Sequence, residues 1–241
     1  ELYNASAPVA QKEKEEVLAF ARTLGFQEEL MPWDWSYYAE KLKEKKFDLN
    51  DEMLKPYFEL NRVIDGVFGL ATELYGITFQ LNKTIPVYHP DVLPYEVFDR
   101  DGKFLSVLYA DFHPRAGKRG GAWMNDFKAQ WKENGTDSRP HITIVMNFTQ
   151  PTETKPALLT FYEMETFLHE FGHALHGILA NSTYSTLSGT SVYRDFVELP
   201  SQIMENWAVE KAFLDRFAVH YQTGEKIPAE LVKKIKDSEN F

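Results

Sequence analysis

The chain of 241 residues carries 36 acidic and 26 basic residues, a formal net charge of −10, with 44% hydrophobic and 15% aromatic content and no cysteine. This composition builds a globular core, argues against nucleic acid and membrane as partners, and excludes disulfides, thiolate nucleophiles and Cys-ligated zinc. No apolar run reaches roughly 18 residues and no signal peptide opens the sequence. A cytoplasmic monomer is expected, with periplasmic or secreted placement left open because the chain starts at Glu1 and not at Met.

Taken in chain order, about 1–75 reads as helical. "APVAQKEKEEVLAFARTLG" places Val17, Leu18, Ala21 and Leu24 at helical spacing before Gly25, a helix stop. "PWDWSYYAEKLKEKKF" offers Asp34 as an N-cap. "NDEMLKPYFELNRVIDGVFGLATELYG" reads as one long helical stretch, with Pro56 at its first turn or at a kink. The region 76–150 predicts a small, mostly antiparallel sheet of roughly three to five strands. "GITFQLN" alternates, "EVFD" and "FLSVLYADF" flank the turn signal Asp101-Gly102, and "HITIVMNF" is β-branched. From 158 to 241 the pattern is helical again, broken around 181–195 and ending in "VKKIKDSENF", which reads as a solvated helix.

The chemistry lies in "TFYEMETFLHEFGHALHG". Thr160 and Glu163 form a capping box, which fixes where the helix starts. At about 100° per residue, Phe167, Phe171, Ala174, Leu175 and Ile178 share one side, while His169, His173 and His176 fall opposite. His169 and His173 stand one turn apart, so both rings can converge on one ion. Zinc suits neutral imidazole and, in catalytic sites, leaves one of four positions to water. Glu170 projects from the same region toward that water and can take its proton during attack on a carbonyl. This is the content of an H-E-x-x-H motif. The metzincin extension needs Gly at position 176 and His at 179, where this chain has His176 and Leu179, so that pattern is excluded. His176 reads instead as a neighbour of the site.

A further ligand must come from elsewhere. "YRDFVELPSQIMENWAVEKAF" carries Glu198, Gln202 and Glu205 as a polar stripe on an otherwise apolar segment, with Asp195 as the expected N-cap and Pro200 in the first turn. Spacing favours Glu198 or Glu205 and does not separate them.

"FLHEFGHALHG" followed by "LSGTSVYRDFVELPSQIMENW" resembles the zinc peptidases of the thimet oligopeptidase family, as do "PWDWSYYAEKL" and "LYADFHPRAGKRGGAWM". "RAGKRGGAWM" and "GTSVYRDFVELPSQI" are most similar to its peptidyl-dipeptidase branch, which removes C-terminal dipeptides from short peptides. The resemblance implies one zinc ion held by His169, His173 and Glu198, with Glu170 as the base and Glu205 at most a supporting residue. It also implies a mainly α fold with a small antiparallel β-sheet, a zincin-like core that is part of a larger helical clamshell. On this reading 1–241 is one partial catalytic domain, lacking the family's N-terminal helical part and a C-terminal part that stabilises the oxyanion. Zinc binding with weak or no activity is then expected of this fragment. Zincins bind the substrate backbone along an edge strand, which points to Gly120, Gly121 and Ala122, where another backbone can approach closely. The segment is not a phosphate loop, because no Ser or Thr follows its lysine. His176, Glu165 and Asp195 are expected to support the site, Glu165 because it stands one turn before His169. The alternatives are an oligoendopeptidase of the same family, or a non-catalytic helical module with a vestigial metal site.

Overall fold

Residues 1–238 are described by a computed structural model. In chain order the first helices are α1 (Leu2–Thr23), α2 (Pro32–Phe47), α3 (Asp51–Leu54) and α4 (Leu60–Tyr75). The strands are β1 (Thr78–Leu81), β2 (Leu93–Phe98), β3 (Phe104–Asp111), β4 (Trp123–Lys128), β5 (Trp131–Glu133), β6 (Thr136–Ser138) and β7 (His141–Val145). There follow α5 (Phe161–Ile178), α6 (Arg194–Val197), α7 (Leu199–Glu205), α8 (Lys211–Leu214) and α9 (Ala229–Ser238). Two compact units result, one of residues 1–53 with 229 onward, the other of residues 54–228. Among the described residues, no helix is long and apolar enough to cross a membrane.

In the first unit, Val17 of α1, Leu42 of α2 and Leu30 between them form a buried cluster, with Phe26 and Tyr38 packed against it. Gly25 follows α1 in a left-handed conformation (φ +91°), as its place after the apolar stripe predicts. Asp34 is not the N-cap of α2. Met31 holds that position with Pro32 next, and the Asp34 carboxylate reaches back to accept the Met31 N–H at 3.1 Å. The closing helix is more than solvated: Val232 and Ile235 of α9 are buried. The last three residues of that tail lie outside the described residues.

The second unit holds the sheet. The long helix expected before it is broken, because Pro56 sits in a tight 3-10 turn (Lys55–Tyr57). The chain then runs extended at Glu59, whose side chain caps α4 through the N–H groups of Asn61 and Arg62. The strand order is β1-β2-β3-β7-β4. Three pairings are antiparallel, as expected, while β3 and β7 run parallel. The turn between β2 and β3 uses Gly102 at φ +78°, with Asp99 accepting from the N–H groups of Asp101 and Lys103. Two features were not predicted from sequence. One is edge strand β4, and the other is the small β5–β6 hairpin that follows it.

Helix α5 packs against β7 and β4. Phe167, Phe171, Ala174, Leu175 and Ile178 are all buried, which is the apolar side the periodicity predicts. Phe171 meets Phe68 of α4 and Phe79 of β1, and Phe167 meets Phe112 and Phe148. The opposite side of α5 is thereby left for chemistry.

Candidate metal centre

Both ends of α5 are fixed by side chains. Glu163 N–H donates to Thr160 Oγ1 at 3.0 Å, and Thr160 N–H donates to the Glu163 carboxylate at 2.8 Å, the reciprocal box read from the sequence. Glu163 also accepts from Thr149 N–H at 2.7 Å, which ties the segment after β7 to the helix start. At the other end, the Arg139 guanidinium donates to the carbonyls of Ile178 (2.7 Å), Ala180 (3.1 Å) and Leu105 (2.8 Å). It satisfies carbonyls that a helix terminus leaves open and links them to β3.

Across the imidazole side lies α7. The two helices approach so closely at Gly172 that a Cβ there would fall 2.6 Å from the Pro200 carbonyl oxygen and from Ser201 Cα. Gly172, the third residue after His169, therefore admits the helix that carries the acidic stripe. The start of that stripe differs from expectation. Asp195 is not an N-cap; Tyr193 precedes α6, and Asp195 lies inside it. Pro200, in the first turn of α7, lacks an N–H and clashes with a preceding helical turn, so α6 stops at Val197. Glu198 is the residue between the two helices.

One donor atom each from His169, His173 and Glu198 lie within 4.8 Å of one another. Nε2 of His173 stands 3.1 Å and Nε2 of His169 3.3 Å from Glu198 Oε2. Ser201 Oγ donates to the same Glu198 oxygen at 2.9 Å. On the far side of the His169 ring, Nδ1 stands 2.5 Å from Glu205 Oε1. A carboxylate there holds the proton on Nδ1 and turns the Nε2 lone pair toward Glu198 and His173. Burial lowers the pKa of His173, which favours the neutral, ligating form. Two imidazole nitrogens and one carboxylate oxygen, with one ring oriented by a second carboxylate, form a donor set that fits a divalent metal of the zinc type.

Glu170 is buried, and its Oε2 has no hydrogen-bond partner among the described residues. Burial pushes its pKa up to about 7; the nearby His169 opposes the rise and the Glu198 charge adds to it. A carboxylate with a bare oxygen and a pKa near neutrality has the properties of a general base.

A cleft of about 460 Å³ opens beside these groups, lined by Gly121, Ala122, Tyr162, Glu165, His169, Glu170 and Glu205 among others. Gly121 and Ala122 thus reach the cleft, immediately before edge strand β4, whereas Gly120 is exposed and outside its lining. Glu165 lines the same wall, but the carboxylate bonded to the His169 ring is that of Glu205. His176 packs edge-on to Phe196 with its centroid 6.2 Å away, and stands outside the metal group. Asp195 is exposed and does not line the cleft. Glu205 is the residue whose role the sequence left undecided, and its signal was the i, i+7 relation to Glu198.

All 241 residues match the family described as Peptidase family M3. Dipeptidyl carboxypeptidase of Escherichia coli is 49% identical over 211 residues, covering 87% of this chain and 31% of that protein. Oligopeptidase A of the same organism is 40% identical over 243 residues, covering 100% of this chain and 36% of its own length. Mitochondrial intermediate peptidase of Arabidopsis thaliana is 36% identical over 219 residues. The chain belongs to peptidase family M3. It spans about a third of the length of the curated relatives it matches.

Proposed function

We propose that this chain is the zinc-binding part of a metallopeptidase that hydrolyses short peptides and releases C-terminal dipeptides. The observation that carries the reading is the convergence of His169, His173 and Glu198 beside the unpartnered Glu170 oxygen. Zinc held by these three residues would polarise a peptide carbonyl and make a water molecule acidic near neutral pH. Glu170 takes the proton from the attacking water and returns it to the departing amine. Glu205 keeps the His169 ring in its ligating orientation. Glu165 faces the substrate from the cleft wall, and Gly121 and Ala122 offer their backbone to the peptide. A structural zinc site has no use for a buried base such as Glu170, which favours catalysis over a vestigial module. Dipeptide release is preferred to internal cleavage because identity is higher to the dipeptidyl carboxypeptidase than to oligopeptidase A. Zinc binding is proposed for this chain and peptide hydrolysis for the whole protein.

The test is product analysis by mass spectrometry with the full-length protein and its Glu170→Gln variant. Successive loss of two residues from the C-terminus is expected. The variant should bind zinc at the same stoichiometry and lose about 10²–10⁴-fold in rate, the usual contribution of a general base. Undiminished cleavage by Glu170→Gln sinks the mechanism, and internal cuts alone move the assignment to an oligopeptidase.

A further inference from the structure

The eleven residues between β3 and β4, 112 to 122, include the "RAGKRGG" run, with more charge than any metal or base role uses. Two of its three cations, Arg115 and Lys118, turn inward, while Arg119 is exposed. The Asp111 carboxylate, at the end of β3, is almost fully buried with 1% of its side chain exposed, and Lys118 beside it is 3% exposed. Arg115 grips Asp111 with both arms of its guanidinium, at 2.8 and 2.9 Å. Lys118 Nζ donates to Asp111 Oδ1 (2.8 Å), to the Asp111 carbonyl (3.2 Å) and to the His113 carbonyl (2.7 Å). Tyr88 OH adds a bond to Asp111 Oδ2 at 2.9 Å. One and three residues on from the lysine, the carbonyls of Arg119 (2.9 Å) and Gly121 (2.7 Å) accept from Asn147 Nδ2. The loop is thus fastened to the sheet at one point by an ion cluster and at a second by an amide.

The energetics of the cluster separate geometry from stability. Burial raises the Asp111 carboxyl, but the bonds from Arg115, Lys118 and Tyr88 more than reverse this and leave it below the usual range. For Lys118 the balance goes the other way, and burial lowers its pKa despite Asp111. The two partners disagree in sign of benefit, as expected where desolvation offsets much of the attraction in a buried pair. Such a cluster is a poor source of net stability. What it does provide is one fixed path for a glycine-containing loop, which backbone entropy would otherwise spread over many.

We propose that Asp111, Arg115 and Lys118 are positioning residues, which hold the Gly121–Ala122 backbone at the cleft in the place where a peptide substrate lies along edge strand β4. The inference rests on the peptidase reading above and adds to it the device that sets the substrate-binding edge. None of the three residues lines the cleft, so they act through the loop. A misplacement of about 1 Å at a substrate-positioning segment can cost on the order of 100-fold in rate.

The experiment compares two probes on the zinc-loaded, full-length protein and its Lys118→Met variant. Acetohydroxamate reports on the metal alone, and a tripeptide hydroxamate extends along the edge. Lys118→Met is expected to keep its zinc stoichiometry and its acetohydroxamate affinity, while tripeptide hydroxamate affinity falls and peptide KM rises at least about tenfold, the signature of lost binding shared by ground and transition states. Arg115→Met, at a side chain that is 22% exposed, is the second variant should Lys118→Met not fold, and Arg115→Lys should restore part of the loss. Equal weakening of both probes would show general damage and overturn the proposal, as would unchanged tripeptide affinity in both variants. If the unmodified protein itself binds zinc but cleaves no peptide, the peptidase reading fails and takes this inference with it. An active parent with unaffected variants removes the inference alone.

Discussion

Gly172→Ala adds a single methyl group on the side of α5 that faces α7, and it should weaken metal binding. The added Cβ would lie 2.6 Å from the Pro200 carbonyl oxygen and Ser201 Cα, and 2.9 Å from the Pro200 carbonyl carbon. These are backbone atoms with no rotamer to yield, so α7 must retreat by about 0.8 Å to reach ordinary contact. Both acids of the site ride on that helix, Glu198 at its start and Glu205 at its end. Ligand distances tolerate roughly ±0.2 Å, so the shift takes Glu198 out of range of His169 and His173 and slackens the Glu205 bond together. The overpacking itself should cost about 1–3 kcal/mol, and zinc affinity should fall by more than about tenfold, the range for a disturbed ligand support. Zinc affinity measured by competition with a chromophoric chelator, alongside thermal unfolding of the metal-free protein, separates the two effects. Gly69→Ala is the matched control. It lies in α4 with nothing within 4 Å of the added Cβ, and alanine should stabilise a helix there by up to about 1 kcal/mol. Wild-type zinc affinity in Gly172→Ala would refute the claim that this glycine sets the distance between the helices.

Glu205→Gln should retain one zinc per chain but bind it about 10–100-fold more weakly, because the His169 Nδ1 proton loses its charged acceptor; an unchanged affinity would show that the ring needs no such partner. The Asp111 carboxyl is lowered in the folded chain, so its contribution to stability is present above an unfolded pKa of about 4 and disappears as pH falls through the folded value. Carbon-detected NMR titration of that carboxyl should give a midpoint below the ordinary aspartate value, and a midpoint at or above it would contradict the four-donor arrangement.

What the sequence made legible follows from how local each signal is. The start of α5, its apolar side and its paired histidines depend on residues within one or two turns, and capping and periodicity reported them correctly. Strand β4 is different. Three consecutive residues, Asn125, Asp126 and Phe127, are exposed, and its partner β7 lies 13 to 22 residues further along the chain, so no alternation marks it. Gly172 was unreadable for the same reason. A glycine inside a helix registers as a weakness, and only the Pro200 carbonyl across the gap gives it a use. The Asp195 cap failed because α6 starts one residue before it, after Tyr193, and Pro200 opens a second helix instead of standing in the first turn of a single one.

The choice between Glu198 and Glu205 shows how a true local pattern can still pose the wrong question. Spacing presented them as rivals for one coordination position. They stand at opposite ends of α7, about 10 Å apart along the axis at 1.5 Å per residue, too far to compete for one place. An imidazole, however, has two nitrogens facing away from each other. His169 turns Nε2 to Glu198, at 3.3 Å, and Nδ1 to Glu205, at 2.5 Å, so one ring takes both acids. The i, i+7 stripe is therefore a single feature, a helix that spans a histidine and carries the carboxylate proposed for the metal on one side and the ring's proton acceptor on the other. It can do so only while Gly172 lets the helix lie close enough for both contacts to form at once.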